Sequence, residues 1–273
     1  MEELKEFKEY LIQGEKSDLT IEKYLRDVGR FRCWLGDGEL SKGRVLAYKA
    51  EMAERYAVSS TNSILSSLNA YFDFLGRNDC RVKAIRQQRQ VFMPEEKELT
   101  KGEYGRLLKA SQRKPRLRLL MQTICSTGIR VSEHRFITVE AARAGYTEVW
   151  MKGKQRRVFL EKKLCRELLH YAAERHISSG SIFVTVSGRP MDRCNIWAEM
   201  KKLCTTAGVS REKVFPHNLR HLFARLYYSI EHDIVRLADI LGHSNINTTR
   251  IYTMESGKIH RKHLQRIEAM LIT

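Results

Sequence analysis

Leu241-Gly-His-Ser-Asn-Ile-Asn-Thr-Thr-Arg-Ile-Tyr252 decides how the rest of the chain is read. It sets His243 nine positions before Tyr252, directly after Leu241-Gly242, a pair that reads as a helix end. Upstream stand Pro216-His-Asn-Leu-Arg-His221 and Thr127-Gly-Ile-Arg-Val-Ser-Glu133. Arginine binds phosphate oxygens in a bidentate fork and stays charged at any working pH. Histidine moves protons near neutrality, and a tyrosine hydroxyl can become a covalent nucleophile. Arg130, His217, Arg220, His243 and Tyr252 are therefore a set suited to attack by a phenol oxygen on a phosphodiester.

Composition points the same way. The 273 residues carry a formal charge of +17, and 42% are hydrophobic, enough for real cores. Charge of that size implies a polyanionic partner, most often nucleic acid. The excess is lopsided: residues 1–97 hold 17 Lys and Arg against 16 Asp and Glu, while residues 98–273 hold 32 against 16. Six cysteines include no C-x-x-C pair, which argues against a zinc site or a secreted disulfide framework. The opening Met-Glu-Glu-Leu-Lys-Glu-Phe is acidic and amphipathic, unlike a signal peptide, and no apolar run reaches the roughly 18 residues of a membrane span. A cytoplasmic protein with reduced thiols, away from the membrane, is expected.

Periodicity predicts a mainly α chain with one small β-hairpin. Residues 1–78 read as a four-helix domain. Leu4, Phe7, Tyr10 and Leu11 mark the first helix, and Ser17-Asp18 caps the second. The third runs from about Ser41 to Tyr56, and the fourth follows Ser59-Ser60. Residues 79–97 read as a basic linker, with Arg81, Lys83, Arg86 and Arg89 as candidate contacts to DNA phosphates. A second domain, 98–273, opens on the capping box Thr100-Lys-Gly-Glu103. Two β-rich runs flank Lys152-Gly-Lys-Gln155, a hairpin signal. Helices are expected over Lys162–Arg175, Asp192–Ala207, His217–Ile230 and Asp233–Leu241, with a last one over His260–Leu271. His217 and Arg220, three apart, would share a helix face near an N-terminus that favours anions.

Singly, each of these residues has a plainer reading. Arg130 could be a surface arginine, His243 a capping residue and Tyr252 a half-buried aromatic. Their order and spacing in a basic context favour chemistry. The chain resembles the tyrosine recombinases, the phage-integrase or Xer-like family. Thr127–Glu133 is similar to the family's first-arginine motif, His217–His221 to its H-x-x-R-H motif, and Leu241–Tyr252 to its histidine-to-nucleophile motif. Lys152-Gly-Lys154 is similar to its catalytic-lysine turn, and the N-terminal bundle to its core-binding domain.

That resemblance implies a role for each position. Tyr252 would attack the scissile phosphate and form a 3′-phosphotyrosine. Arg130 and Arg220 would clamp the non-bridging oxygens. Lys152 would protonate the leaving 5′-oxygen, with Lys154 the other candidate for that role and a DNA contact. His217 would act as base, His243 would donate to the phosphate, and Glu133 would brace the site. No metal, cofactor or ATP is implied. The implied partner is double-stranded DNA, bound by a monomer in solution that forms a homotetramer on synapsed sites through its last helix. The sequence departs from the family pattern after Glu133, where Glu140 stands nearest the usual acidic position, and at Met254, where a histidine is common. Two other readings use the same residues: a type IB topoisomerase-like relaxing enzyme, or a catalytically silent DNA-binding regulator. The short N-terminal bundle and detached tail favour the recombinase, and covalent trapping on nicked DNA separates both enzymes from the regulator.

Overall fold

A computed structural model describes residues 2–86, 98–151, 154–252, 265, 268, 270 and 271, with Met151 and Lys154 as backbone only. It divides into two compact units, residues 1–89 and 90–273. The first is built on α1 (Glu2–Gln13), α2 (Asp18–Leu35), α3 (Lys42–Arg55) and α4 (Val58–Phe74). Their apolar stripes supply Phe7, Leu11, Val28, Phe31, Leu65, Leu68 and Phe72 to one buried core. Phe31 meets Tyr48 edge-on at 5.1 Å and Phe72 at 5.9 Å, geometry that aromatic quadrupoles favour. Inside this core the buried Asp27 carboxylate accepts from Lys23 Nζ at 2.7 Å and Ser67 Oγ at 2.9 Å, so its charge is matched.

Two caps differ from the sequence reading. Ser17 occupies the N-cap position of α2, but its hydroxyl pairs with Thr20 Oγ1 at 2.9 Å rather than with backbone. Helix α4 starts at Val58 with Ala57 as its cap, which leaves Ser59 and Ser60 inside its first turn. The start is fixed instead by Thr61, whose buried hydroxyl donates to the carbonyls of Met52 and Ala57.

Residues 79–86, the first part of the expected linker, lie against this bundle. Cys80 and Val82 are buried in its core. Asn69 on α4 brackets Val82, accepting from its N–H and donating to its carbonyl, both at 2.9 Å. Asn62, two helical turns earlier on α4, does the same to Ile85 at 2.7 and 3.0 Å. Lys42 and Lys49 of α3 donate to the carbonyls of Arg81 and Lys83. Each amide side chain thus serves as a one-residue ladder partner for the strap. Arg89 lies outside the described residues.

The second unit opens as expected: Thr100 Oγ1 accepts from Glu103 N–H, and Glu103 accepts from Thr100 N–H. That box starts α5 (Lys101–Ala110). Helix α6 (Pro115–Thr127) is buried nearly all round, through Leu117, Leu120, Met121 and Ile124. After α7 (Val139–Ala144) comes the hairpin of β1 (Tyr146–Met151) and β2 (Lys154–Phe159). The strands are antiparallel with Met151 opposite Lys154, so Lys154 and Gln155 belong to β2 and only Lys152-Gly153 connects the strands. The turn is therefore shorter than the four residues read from sequence. Helices α8 (Lys162–Glu174), α9 (Arg193–Lys201), α10 (Cys204–Ala207), α11 (Pro216–Glu231) and α12 (Ile234–Leu241) complete the unit. The single helix expected over Asp192–Ala207 is two pieces, α9 and α10. Of the expected tail helix only Gln265, Glu268, Met270 and Leu271 are described; all are helical, and Met270 and Leu271 are exposed. Leu264 and Ile267 lie outside the described residues. Among the described residues, no helix is long and apolar enough to cross a membrane.

Candidate active site

Two left-handed glycines aim the site. Gly128 ends α6 at φ +66° and Gly242 ends α12 at φ +65°. At α12 the turn closes with His243 N–H donating to Ala238 O at 2.9 Å, a Schellman-type bond that fixes where His243 leaves the helix. Pro216 starts α11, and one turn in, Arg220 points into the protein with 1% of its surface exposed.

Arg220 meets both glycine turns. Its Nη1 donates to Gly128 O at 2.6 Å, and its Nη2 donates to Leu241 O at 2.7 Å and to His243 Nε2 at 2.9 Å. Nε is buried without a hydrogen-bond partner. Among the described residues no carboxylate bonds this guanidinium; carbonyl dipoles hold it. Burial, and then repulsion from Arg130, push its pKa down to about 10. A guanidinium so poorly compensated is an anion site.

Arg130 stands at the start of the 3-10 turn Val131–Phe136. Its Nη1 donates to Glu133 Oε1 at 3.0 Å, its backbone N–H to Glu133 Oε2 at 2.7 Å, and its Nη2 to Gly242 O at 3.2 Å. Glu133 is fully buried. Burial pushes its carboxyl up, but hydrogen bonds from Arg156 and Arg130 outweigh that and hold its pKa below the ordinary value. Two guanidiniums thus bond one carboxylate, and Arg220 adds a third positive charge nearby, leaving net positive charge beside Tyr252.

The histidines line the same recess. Because arginine only donates, His243 Nε2 must be the acceptor, and the proton sits on Nδ1, which faces Thr249 Oγ1 at 2.9 Å. His243 is therefore neutral, consistent with a pKa pushed down to about 4 by burial and then by Arg220 and Arg130. In this arrangement its Nε2 accepts, and donation to a phosphate requires Arg220 to let go and the nitrogen to gain a proton. His217 lies at the mouth, solvent-open on one side. Desolvation of the rest of its ring, then Arg220 and Arg130, lower its pKa, which favours the neutral, proton-accepting form. His221 packs between His217 at 4.4 Å and Tyr252 at 5.0 Å, the latter ring perpendicular to it.

Tyr252 is 4% exposed and closes the recess. Burial raises the pKa of its phenol, and Arg220 and Arg130 partly oppose that shift. A cleft of about 710 Å³ opens beside the two arginines, with His217, Trp197, Lys201 and Phe215 on its walls.

The structure thus brings together Arg130, Glu133, His217, Arg220, His243 and Tyr252. Lys152 and the Lys154 side chain lie outside the described residues. Arg81 pairs with Asp73 at 2.6 Å in the first unit, alongside Lys83 and Arg86 on the strap.

A family model described as the phage integrase family matches residues 97–258, more than half of the chain. The chain belongs to this family, the tyrosine recombinases. The phage integrase N-terminal SAM-like domain matches residues 4–79 of the same chain. Tyrosine recombinase XerA of Thermococcus kodakarensis is 32% identical over 98% of this chain and 94% of its own length. A crystal structure of XerA recombinase is similar with a TM-score of 0.55 at 25% identity, covering 97% of each chain. A lambda integrase tetramer bound to a Holliday junction shares the fold, with a TM-score of 0.73 at 19% identity over 92% of this chain and 76% of that one.

Sequence reasoning about this recombinase missed Arg156, His221 and Thr249 as parts of the site. Arg156 carried a signal: it alternates with Val158 on the inward face of β2, opposite Val149, and a charged residue on a buried strand face needs a partner. Thr249 carried none, since its contact depends on the path of the loop.

Proposed function

We propose that this chain is a site-specific DNA recombinase that cuts and rejoins double-stranded DNA through Tyr252. The observation that carries the reading is a tyrosine hydroxyl held beside a buried, carboxylate-free arginine, with Arg130 and two neutral histidines around it. Arg130 and Arg220 bind the non-bridging oxygens of the scissile phosphate and offset the charge of the pentavalent transition state. The phenol oxygen attacks phosphorus as its proton passes to His217. The bond from phosphorus to the 5′-oxygen breaks, and that oxygen takes a proton from Lys152, with Lys154 the other candidate. The 3′-phosphotyrosine ester keeps the bond energy, so the return attack by a 5′-hydroxyl needs no ATP, and neither step calls for a metal.

An incoming phosphate competes with His243 for Arg220. Its oxygens supply the negative charge the recess lacks, which frees His243 from Arg220 and favours protonation of its Nε2, so that this nitrogen can donate to the phosphate. The strap residues Arg81, Lys83, Arg86 and Arg89, with Lys154, contact the DNA backbone. The protein is a monomer in solution and a homotetramer on synapsed sites, joined by its last helix, and it works in the cytoplasm. Resemblance over both domains favours recombination over supercoil relaxation. The test is a suicide duplex nicked next to the cleavage site, run on denaturing gels. The wild type accumulates a covalent adduct, and Tyr252→Phe binds the site but forms none; adduct in the Phe variant would overturn the assignment.

A further inference from the structure

Among the described side chains, Arg156 is the charged one on the buried face of the hairpin, and its partners are unusual in number. Nη1 and Nη2 donate to the two oxygens of Glu133 at 2.9 and 2.6 Å, a bidentate fork. Nε donates to Ile240 O, in the last turn of α12, at 3.1 Å. A Cβ placed on Gly242 would come within 2.9 Å of Arg156 Cδ, so this side chain fills the space that the glycine leaves. Glu133 in turn holds Arg130 by two bonds, and Arg130 returns to Gly242 O. The bonds close a circuit: Arg156 to Glu133, to Arg130, to the Gly242 turn, and back to Arg156.

We propose that Arg156 is a positioning residue for strand cleavage: acting through the Glu133 carboxylate and the α12 terminus, it keeps Arg130 and the His243 loop in one fixed relation. It does not reach the reacting atoms. Arg130 is a third exposed and could swing away from the phosphate site, and among the described residues only Glu133 and one carbonyl restrain its guanidinium. Glu133 is buried, so it can serve as that restraint only while ionised. Facing it are Arg130 of its own turn, Arg156 of β2 and, further off, Arg220 of α11. Of these, Arg156 makes the bidentate bond. Without it, burial still pushes the Glu133 carboxyl toward its protonated form, with less to oppose it. A protonated Glu133 then loses its hold on the Arg130 guanidinium.

This inference rests on the recombinase reading above, and the experiment separates the two. Single-turnover cleavage of the nicked duplex is measured at saturating protein from mildly acidic to mildly alkaline pH. The variants are Arg156→Gln, Arg156→Lys, Glu133→Gln and the double Glu133→Gln/Arg156→Gln. Arg156→Gln is expected to bind the site within about threefold of wild type and to cleave on the order of 10²-fold more slowly, the scale for a catalytic group misplaced by an ångström. The defect should deepen as pH falls, because the carboxylate is present above its raised pKa and lost below it. Arg156→Lys should recover part of the rate, and the double variant should be no slower than Glu133→Gln, since both act through one link. Carboxyl ¹³C NMR of Glu133 gives a readout without DNA, with its titration moving upward in Arg156→Gln. If Arg156→Gln does not fold, Arg156→Lys and the double variant, which leaves no unpaired buried charge, carry the test. Wild-type rates at every pH, or losses that simply multiply in the double variant, would overturn the assignment. A raised Glu133 titration in a protein whose wild type forms no adduct would leave the hold of Arg156 on Glu133 standing and remove the recombinase reading.

Discussion

Replacing Gly128 with alanine tests how tightly α6, α11 and α12 are held together at the site. Two costs add. A non-glycine residue at φ +66° costs about 1–2 kcal/mol. A Cβ there would lie 2.4 Å from Phe223 Cδ1 and 3.1 Å from a Leu241 methyl, inside a packed cluster. Overpacking of that kind costs about 1–3 kcal/mol. The unfolded chain gives back about 0.4–1 kcal/mol through lost freedom. Gly208 is the control: it caps α10 at φ +58°, but nothing lies within 4 Å of its Cβ position. Gly208→Ala carries the backbone cost alone, so Gly128→Ala should be worse by about the overpacking term, 1–3 kcal/mol. For a domain of this size that is roughly 2–12 °C in Tm by calorimetry. Because Gly128 O receives a bond from Arg220, cleavage of the nicked duplex should also fall in Gly128→Ala and not in Gly208→Ala. Equal Tm losses in the two variants would mean that Phe223 moves aside freely and that the close packing at Gly128 does not constrain the site.

Asn69→Leu and Asn62→Leu each strand a backbone N–H and a carbonyl of the strap and should each cost about 1–3 kcal/mol in urea denaturation; a change within error would show that water replaces the clamp. His221 and His243 are both held near 4, burial first and neighbouring cations and imidazoles after, against an ordinary 6.5. Between those values the unfolded chain binds up to two protons that the folded one refuses, so stability should fall as pH drops from 6.5 toward 4, and His221→Asn should flatten that slope; an unchanged slope refutes it. Lys152→Ala should be rescued by a 5′-phosphorothiolate substrate, whose sulfur leaves without a proton, whereas rescue of Lys154→Ala alone would move the acid two residues along. Truncation after Gly257 should leave half-site binding in mobility shifts intact and abolish cooperative filling of the full site; unchanged cooperativity would mean that the tail packs on its own subunit.

What could be read from the sequence was local. The Thr100–Glu103 box spans three residues, and the apolar stripes of α1 to α4 repeat every turn, so both are visible without knowing the fold. Gly242 was legible as a helix end for the same reason. The motifs around Arg130, Arg220, His243 and Tyr252 stood out by order and spacing. Features that depend on distant partners did not. Arg156 meets Glu133 from 23 residues away, which requires the hairpin register. Asn62 and Asn69 look like ordinary polar residues on a helix surface until the strap is laid against them. The direction of the Arg220 to His243 bond, which leaves the imidazole neutral and accepting, follows only once the guanidinium is seen to be buried among carbonyls.

The strap on α4 has a consequence for how this protein can change over generations. Asn62 and Asn69 grip main-chain groups, which every residue but proline supplies alike, and Val82 is the side chain that the core demands. Arg81, Lys83 and Arg86 sit between those grips, and substituting them leaves both amide clamps and Val82 untouched. Among the described residues, Arg81 alone of the three gives up a side-chain ion pair, its exposed one to Asp73, and an exposed pair contributes little. The first unit can therefore exchange these three side chains without having to be refolded around each new choice, and under the backbone-contact role proposed for them each exchange would alter its grip on DNA.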